Sequence, residues 1–157
     1  MAKAKQAVPS GYHTITPMLT LDDASEAIDW YKKAFGAEER SRAVGPDDVI
    51  LHAELAIGDS RFMLHDTMMG DKGPKAYGGS PAGCWLYVND CDTLFNRAVA
   101  AGATIRMPIE NAFWGDRTGM VVDPFGYTWA IAQHIEDLTP DEIAARQAEW
   151  VKSWEQE

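Results

Sequence analysis

Leu19–Ala37 reads LTLDDASEAIDWYKKAFGA, and Leu86–Ala103 reads LYVNDCDTLFNRAVAAGA. Each opens with apolar residues two apart, the period of a strand, and runs through an aspartate into apolar residues at helical spacing. In the first copy these are Ala24, Ala27, Ile28, Tyr31, Ala34 and Phe35; in the second, Cys91, Leu94, Phe95, Ala98 and Val99. Asp23 and Asp90 stand where a side chain caps a helix N-terminus, and Gly36 and Gly102 where a helix stops. The chain therefore states one strand–helix unit twice.

Working outward, each helix is followed by three strand-like runs. The first half offers Glu38–Val44, Val49–Ile57 and Arg61–Asp66, with Gly58-Asp59 as a hairpin turn. The second offers Thr104–Ile109, Gly115–Val122 and Tyr127–His134, turning at Pro124-Phe125-Gly126. The pattern predicts an α+β protein of two βαβββ modules whose curled mixed sheets form a groove, plus an acidic C-terminal helix. The expected divisions are an N-terminal tail (1–11), a first module (12–69), a Gly/Pro-rich linker (70–82), a second module (83–137) and the terminal helix (138–157). Thr139 is the expected cap of that helix, with Ile143, Trp150 and Trp154 as an apolar stripe.

Strand alternation then sorts side chains between core and groove. Ile15, Leu19 and Leu21 are expected to face the first helix, leaving Thr16, Met18 and Thr20 for the groove. Val49, Leu51, Ala53, Leu55 and Ile57 form the expected buried row of the next long strand, with Ile50, His52, Glu54 and Ala56 opposite. Phe62 and Leu64 point inward, Met63 and His65 outward. In the second module Cys84, Leu86 and Val88 are assigned to the core, with Gly83, Trp85 and Tyr87 in the groove. Trp129 and Ile131 are core, above a floor of Thr128, Ala130 and Ala132.

Composition narrows the function. Of 157 residues, 24 are Asp or Glu and 14 Lys or Arg, a formal charge of −10. That balance argues against nucleic acid and anionic membranes as partners, because both require a positive face. Half of the excess lies in residues 134–157, where seven acids face Arg146 and Lys152. No uncharged apolar run approaches the roughly 18 residues of a membrane span. The segment MAKAKQAVPSG lacks the apolar stretch of a secretory signal. Cys84 and Cys91, both in apolar settings, read as reduced thiols of a cytoplasmic protein.

The segments ITPMLTLDDASEAIDWYKKAFGAEE, HAELAIGDSRFMLHD, FWGDRTGMVVDPFG and WAIAQHIED together resemble the PhnB-like branch of the vicinal oxygen chelate superfamily, which includes glyoxalase I, extradiol dioxygenases and the fosfomycin- and bleomycin-resistance proteins. The resemblance runs from about Tyr12 to Asp137 and implies paired βαβββ modules in a homodimer. It also implies metal ligands, His or Gln on the first strand and Glu on the last strand of each module. Here those positions hold Thr16 and Gly83, and Met63 (Phe62 if the turn is counted differently) and Ala130. None is a good donor to a divalent transition metal.

Two readings follow from different classes. The first is a protein that binds a small aromatic or cationic molecule in a dimer-interface groove, without a resident cofactor and without turning it over. Its expected ligand-binding residues are Thr16, Met18, His52, Glu54, Met63, His65, Trp85, Tyr87, Trp114 and Ala130. Trp114, Trp85 and Tyr87 would be its stacking surfaces. The second is an enzyme: a metal-dependent lyase, isomerase or dioxygenase with a divalent metal relocated to His52, Glu54, His65 or Asp66, or a metal-free acid–base catalyst using His52 and Glu54. Asp116 and Arg117 admit a plainer role as an ion pair locking their loop or the dimer seam. His13 and His134 read as edge or interface histidines.

Overall fold

The computed structural model describes residues 3–154, and its contacts divide the chain into two compact units, Met1–Ser80 and Pro81–Glu157. Residues 155–157 of the expected terminal helix and the first two of the N-terminal tail lie outside the described residues.

In the first unit β1 (Met18–Leu21) leads into α1 (Ala24–Phe35), followed by β2 (Glu38–Val44), β3 (Ile50–Ile57) and β4 (Ser60–Asp66). The sheet order is β1-β4-β3-β2, with β1 and β4 parallel and the other neighbours antiparallel. α1 starts where Asp23 Oδ1 accepts the Glu26 N–H at 2.8 Å. It ends at Gly36, whose φ of 66° favours glycine. Asp66 adds a second start signal, since its carboxylate accepts the Ala24 N–H at 2.6 Å and the Ile50 N–H at 2.7 Å. One side chain thus joins the beginning of the helix to two strands. Ile28, Tyr31 and Phe35 are buried on the sheet, Tyr31 meeting Phe62 edge-on with centroids 5.6 Å apart. Burying each such side chain is worth about 1.5–3 kcal/mol.

Some inward assignments fail in this unit. Ile15 is 86% exposed, because β1 begins only at Met18, after Pro17, and Ile15 runs off the sheet upstream of the paired segment. In β3 the order at the start is reversed: Ile50 is buried and Leu51 exposed. Ala43 pairs with His52 but Val44 with Ile50, so Leu51 is the extra residue of a bulge that turns the strand over. From His52 to Leu55 the expected alternation holds, with Ala53 and Leu55 fully buried; at the strand's end Ala56, expected in the groove, is buried, and Ile57, expected in the core, is only half-buried.

The second unit repeats the plan with β5 (Gly83–Tyr87), α2 (Cys91–Ala100), β6 (Thr104–Asn111), β7 (Asp116–Val122) and β8 (Thr128–His134), in the order β5-β8-β7-β6. Asp90 caps α2 through the Thr93 N–H at 3.0 Å. Gly119 lies against Phe95 of α2, so a Cβ there would sit 2.7 Å from that ring. This contact fixes which face of β7 meets the helix. Cys84, Leu86 and Val88, expected as core, are only half-buried. They lie on or just beyond an edge strand, under a ten-residue helix that buries fewer side chains than α1.

Asp123 holds the β7–β8 turn. Its Oδ1 accepts the N–H groups of Phe125 and Tyr127, both at 2.9 Å, and its Oδ2 accepts the Trp129 indole N–H at 2.8 Å. The DPFG string is therefore a structural device. After β8, Thr139 and Glu142 form a reciprocal capping box that starts α3 (Pro140–Trp154). No residue of α3 is buried; Trp150 lies 5.1 Å from Phe113 and 4.2 Å from Trp154, centroid to centroid. Among the described residues no helix is long and apolar enough to cross a membrane.

Candidate functional site

On each sheet, the face turned away from its helix carries the candidate residues, and strand register arranges them in rows. In the first unit Met18 pairs with Met63, Met63 with Glu54, and Glu54 with Ser41. Thr20 pairs with His65 on the same face. His52 Nε2 and Glu54 Oε1 come together at 3.4 Å. The Tyr12 hydroxyl is buried near Glu54 without good hydrogen-bond geometry; with His52 and Ser41 it holds the Glu54 carboxyl below the usual range, against burial. Burial and the same carboxylate push the Tyr12 phenol up. Arg61 stacks over the Tyr12 ring at 4.8 Å.

Two other candidates of this unit are engaged in structure. His65 is buried, with Nδ1 donating to the Asp66 carbonyl at 2.8 Å and Nε2 3.3 Å from Thr20 Oγ1. The Asp66 carboxylate is committed to backbone N–H groups. Neither converges with His52 and Glu54 on an ion, and among the described residues no group of three His, Cys, Asp or Glu side chains gathers that could hold one. The inherited ligand positions fit a metal no better. Thr16, Met63, Phe62, Gly83 and Ala130 carry no imidazole or carboxylate, and a Cβ at Gly83 would meet the Thr128 carbonyl oxygen at 3.0 Å. These residues do not suit the divalent ion of the metal enzymes.

In the second unit the corresponding rows are aromatic and small. Trp85 pairs with Ala130, Ala130 with Met120, and Met120 with Met107. Tyr87 pairs with Ala132, Ala132 with Thr118, and Thr118 with Glu110. Ala130, Ala132 and Thr118 are buried, whereas Trp85 and Tyr87 are 44% and 60% exposed. Trp85 lies 6.1 Å from Tyr87 and 6.3 Å from Trp114, in tilted contacts that leave ring faces unstacked. Thr118 is wholly buried, yet its hydroxyl has no hydrogen-bond partner. Leaving a hydroxyl so costs about 1–3 kcal/mol.

One end of this face is organised by Asp116, a residue absent from the expected site. Its Oδ2 accepts the Tyr87 hydroxyl at 2.8 Å and the Trp114 indole N–H at 2.9 Å; its Oδ1 accepts His134 Nδ1–H at 2.8 Å. The expected Asp116–Arg117 pair does not form. Adjacent strand residues point to opposite faces, so Arg117 makes a bidentate pair with Asp92, both contacts at 2.7 Å. Burial works to raise the Asp116 pKa, but the bonds from His134, Tyr87 and Trp114 outweigh it and hold the carboxyl below the usual range. Asp116, and then Asp137 at 3.0 Å from Nε2, push His134 up. A carboxylate at each ring nitrogen favours the protonated form of His134.

Paired βαβββ units with an aromatic outer face and no inherited metal ligands define a class in which the fold is shared and the chemistry is not. The chain belongs to the Glyoxalase/Bleomycin resistance protein/Dioxygenase superfamily, whose family model matches residues 13–131. The uncharacterized protein Mb0911c of Mycobacterium bovis is 44% identical over 136 residues, 83% of this chain and 90% of that one. The crystal structure of TioX from Micromonospora sp. ML1 matches with a TM-score of 0.62 at 29% identity, over 81% of this chain and all of TioX. The bleomycin resistance determinant encoded on transposon Tn5 matches with a TM-score of 0.59 at 21% identity, over 78% of this chain and 98% of its own, a likeness of fold.

Proposed function

We propose that this protein is a small-molecule-binding member of its superfamily. It holds a flat aromatic or cationic ligand against the outer face of the second sheet, in a groove of a homodimer, without the metal chemistry of the family's enzymes. The observation that carries the reading is the pairing of exposed Trp85 and Tyr87 with the buried floor of Ala130 and Ala132. Aromatic rings standing beside small side chains leave a flat apolar surface on which a planar molecule can lie. The donor-poor positions Thr16, Met63, Gly83 and Ala130 support the metal-free half of the reading. Two free cysteines, Cys84 and Cys91, suit a reducing, cytoplasmic setting.

The test is quenching of tryptophan fluorescence by a bleomycin-like or quinoline-like compound. Saturable quenching that disappears in Trp85→Ala and Trp114→Ala is the expected result; quenching unchanged in both variants removes the aromatic face as the site. The 3.4 Å approach of His52 to Glu54 favours a second reading, acid–base catalysis on the first sheet, with or without a relocated ion. Stoichiometric Zn, Ni, Mn or Fe in the purified protein, lost with His52→Ala, would establish the metal form of that alternative.

A further inference from the structure

Beside the aromatic face of the second unit opens a cleft of about 330 Å³, lined by Tyr87, Val88, Asn89, Gln133 and His134. Tyr87 belongs to both, so a ring resting on Trp85 and Tyr87 brings its substituent to the mouth of this cleft. His134 is oriented there by Asp116. Nδ1 is bound at 2.8 Å to a carboxylate that is itself 2% exposed, which orients the ring and leaves Nε2 facing outward. What it meets is Asp137, a fully exposed side chain three residues on. That carboxylate gives up no buried contact when it swings away.

We propose that His134 is an anion hook, and that the ligand is a flat aromatic acid whose carboxylate displaces Asp137 from Nε2. The proposal rests on the aromatic-face reading and adds a charge to it, choosing the acid over the cation. The other charges around the hook are already matched. Asp116 is held by His134, Tyr87 and Trp114, Arg146 pairs with Glu136 at 2.6 Å, and Arg117 pairs with Asp92. Asp137 is the carboxylate that a ligand must replace, and it occupies the hook as a tethered stand-in. An intramolecular competitor of this kind makes a sign-reversed prediction: removing its charge strengthens binding of the acid.

The experiment is calorimetric titration of the full chain, at neutral pH, with three compounds of one shape: naphthoate, naphthylmethanol and naphthylmethylamine. Naphthoate should bind about tenfold more tightly than the alcohol, the scale of one charge-assisted hydrogen bond. His134→Gln should erase that advantage, so that naphthoate and the alcohol bind alike; the variant's cooperative thermal unfolding reports that it is folded. Asp137→Asn, at an exposed position that leaves the fold alone, should tighten naphthoate a further few-fold and leave the alcohol as it was. If the alcohol binds and naphthoate binds no better, or if the amine binds best, the hook is wrong and the aromatic face stands. If none of the three binds, both fall.

Discussion

Replacing Asp116 by Asn keeps the side chain's shape and removes its charge, and the structure sets what that should cost. Three donors converge on the carboxylate: the Tyr87 hydroxyl, the Trp114 indole and the His134 imidazole, at 2.8, 2.9 and 2.8 Å. None of the three is fully buried, so each can turn to water, and the loss is the net worth of a hydrogen bond and not a full desolvation penalty. The amide keeps one acceptor oxygen, so the donors on one side lose their partner and those on the other lose a charged one; at about 1 kcal/mol for each of the three the sum is at most about 3 kcal/mol. For a chain of this length that lowers Tm by at most about 6–12 °C. Tryptophan fluorescence during thermal unfolding is the assay, since every tryptophan but Trp30 lies in the second unit. The pH dependence is a second check. Asp116 is held below its ordinary value of 3.8, so its contribution is complete above about pH 4 and is lost as the pH falls through the folded value. His134 is raised above 6.5, so its contribution is complete below that value and is lost as the pH rises through the folded one. The gap between wild type and Asp116→Asn should be widest between these limits and narrow on both sides. A variant melting within about 2 °C of wild type across this range would refute the idea that Asp116 organises the site.

Three further substitutions probe other parts of the second unit. Thr118→Val removes a buried hydroxyl that has no partner and keeps its volume, so it should raise stability by about 1 kcal/mol, read as a Tm higher by about 2–4 °C; a lower Tm would mean that the hydroxyl is bonded after all. Gly115→Ala should destabilise by about 2 kcal/mol or more in urea unfolding, because Gly115 has a φ of 97° and a Cβ would run into the Glu136 carbonyl oxygen. Asp123→Ala strips the acceptor from Phe125 N–H, Tyr127 N–H and the Trp129 indole, and should cost about 3 kcal/mol in the same assay.

The parts of the fold that follow from local chemistry were legible in the sequence. Asp23, Asp90 and Thr139 cap helices because capping depends on a side chain and an N–H three residues away. The two βαβββ units follow from period and turn signals alone. What escaped were features decided by a partner strand. The bulge at Leu51 shows only in how β2 pairs with β3, and it exchanged the faces of Ile50 and Leu51. Asp116 escaped for a related reason: it was matched to its neighbour Arg117, although alternation separates adjacent residues. A signal for its real partner was present. Counting six residues outward from the Val122–Thr128 pair at the β7–β8 turn arrives at Asp116 on one strand and His134 on the other.

The repeat also explains why the two outer faces call for different chemistry. Register makes Met18, Thr20, Met63, His65, His52 and Glu54 the counterparts of Trp85, Tyr87, Ala130, Ala132, Thr118 and Met120. Where one sheet carries imidazoles and a carboxylate, the other carries alanines, a threonine and a methionine beneath exposed aromatic rings. The symmetry of the backbone is thus retained while the polar groups lie on the first face and the stacking surface on the second. In the second unit the rows carry one charged residue, Glu110 on the outer strand β6, and the paired charges lie at the end of β7 and β8, in Asp116 and His134. A planar ligand lying on Trp85 and Tyr87 would therefore find apolar surface beneath its ring and charge only at its edge. In the proposed complex that division gives the ligand a direction, with its ring on exposed Trp85 and Tyr87 and its acidic group toward His134.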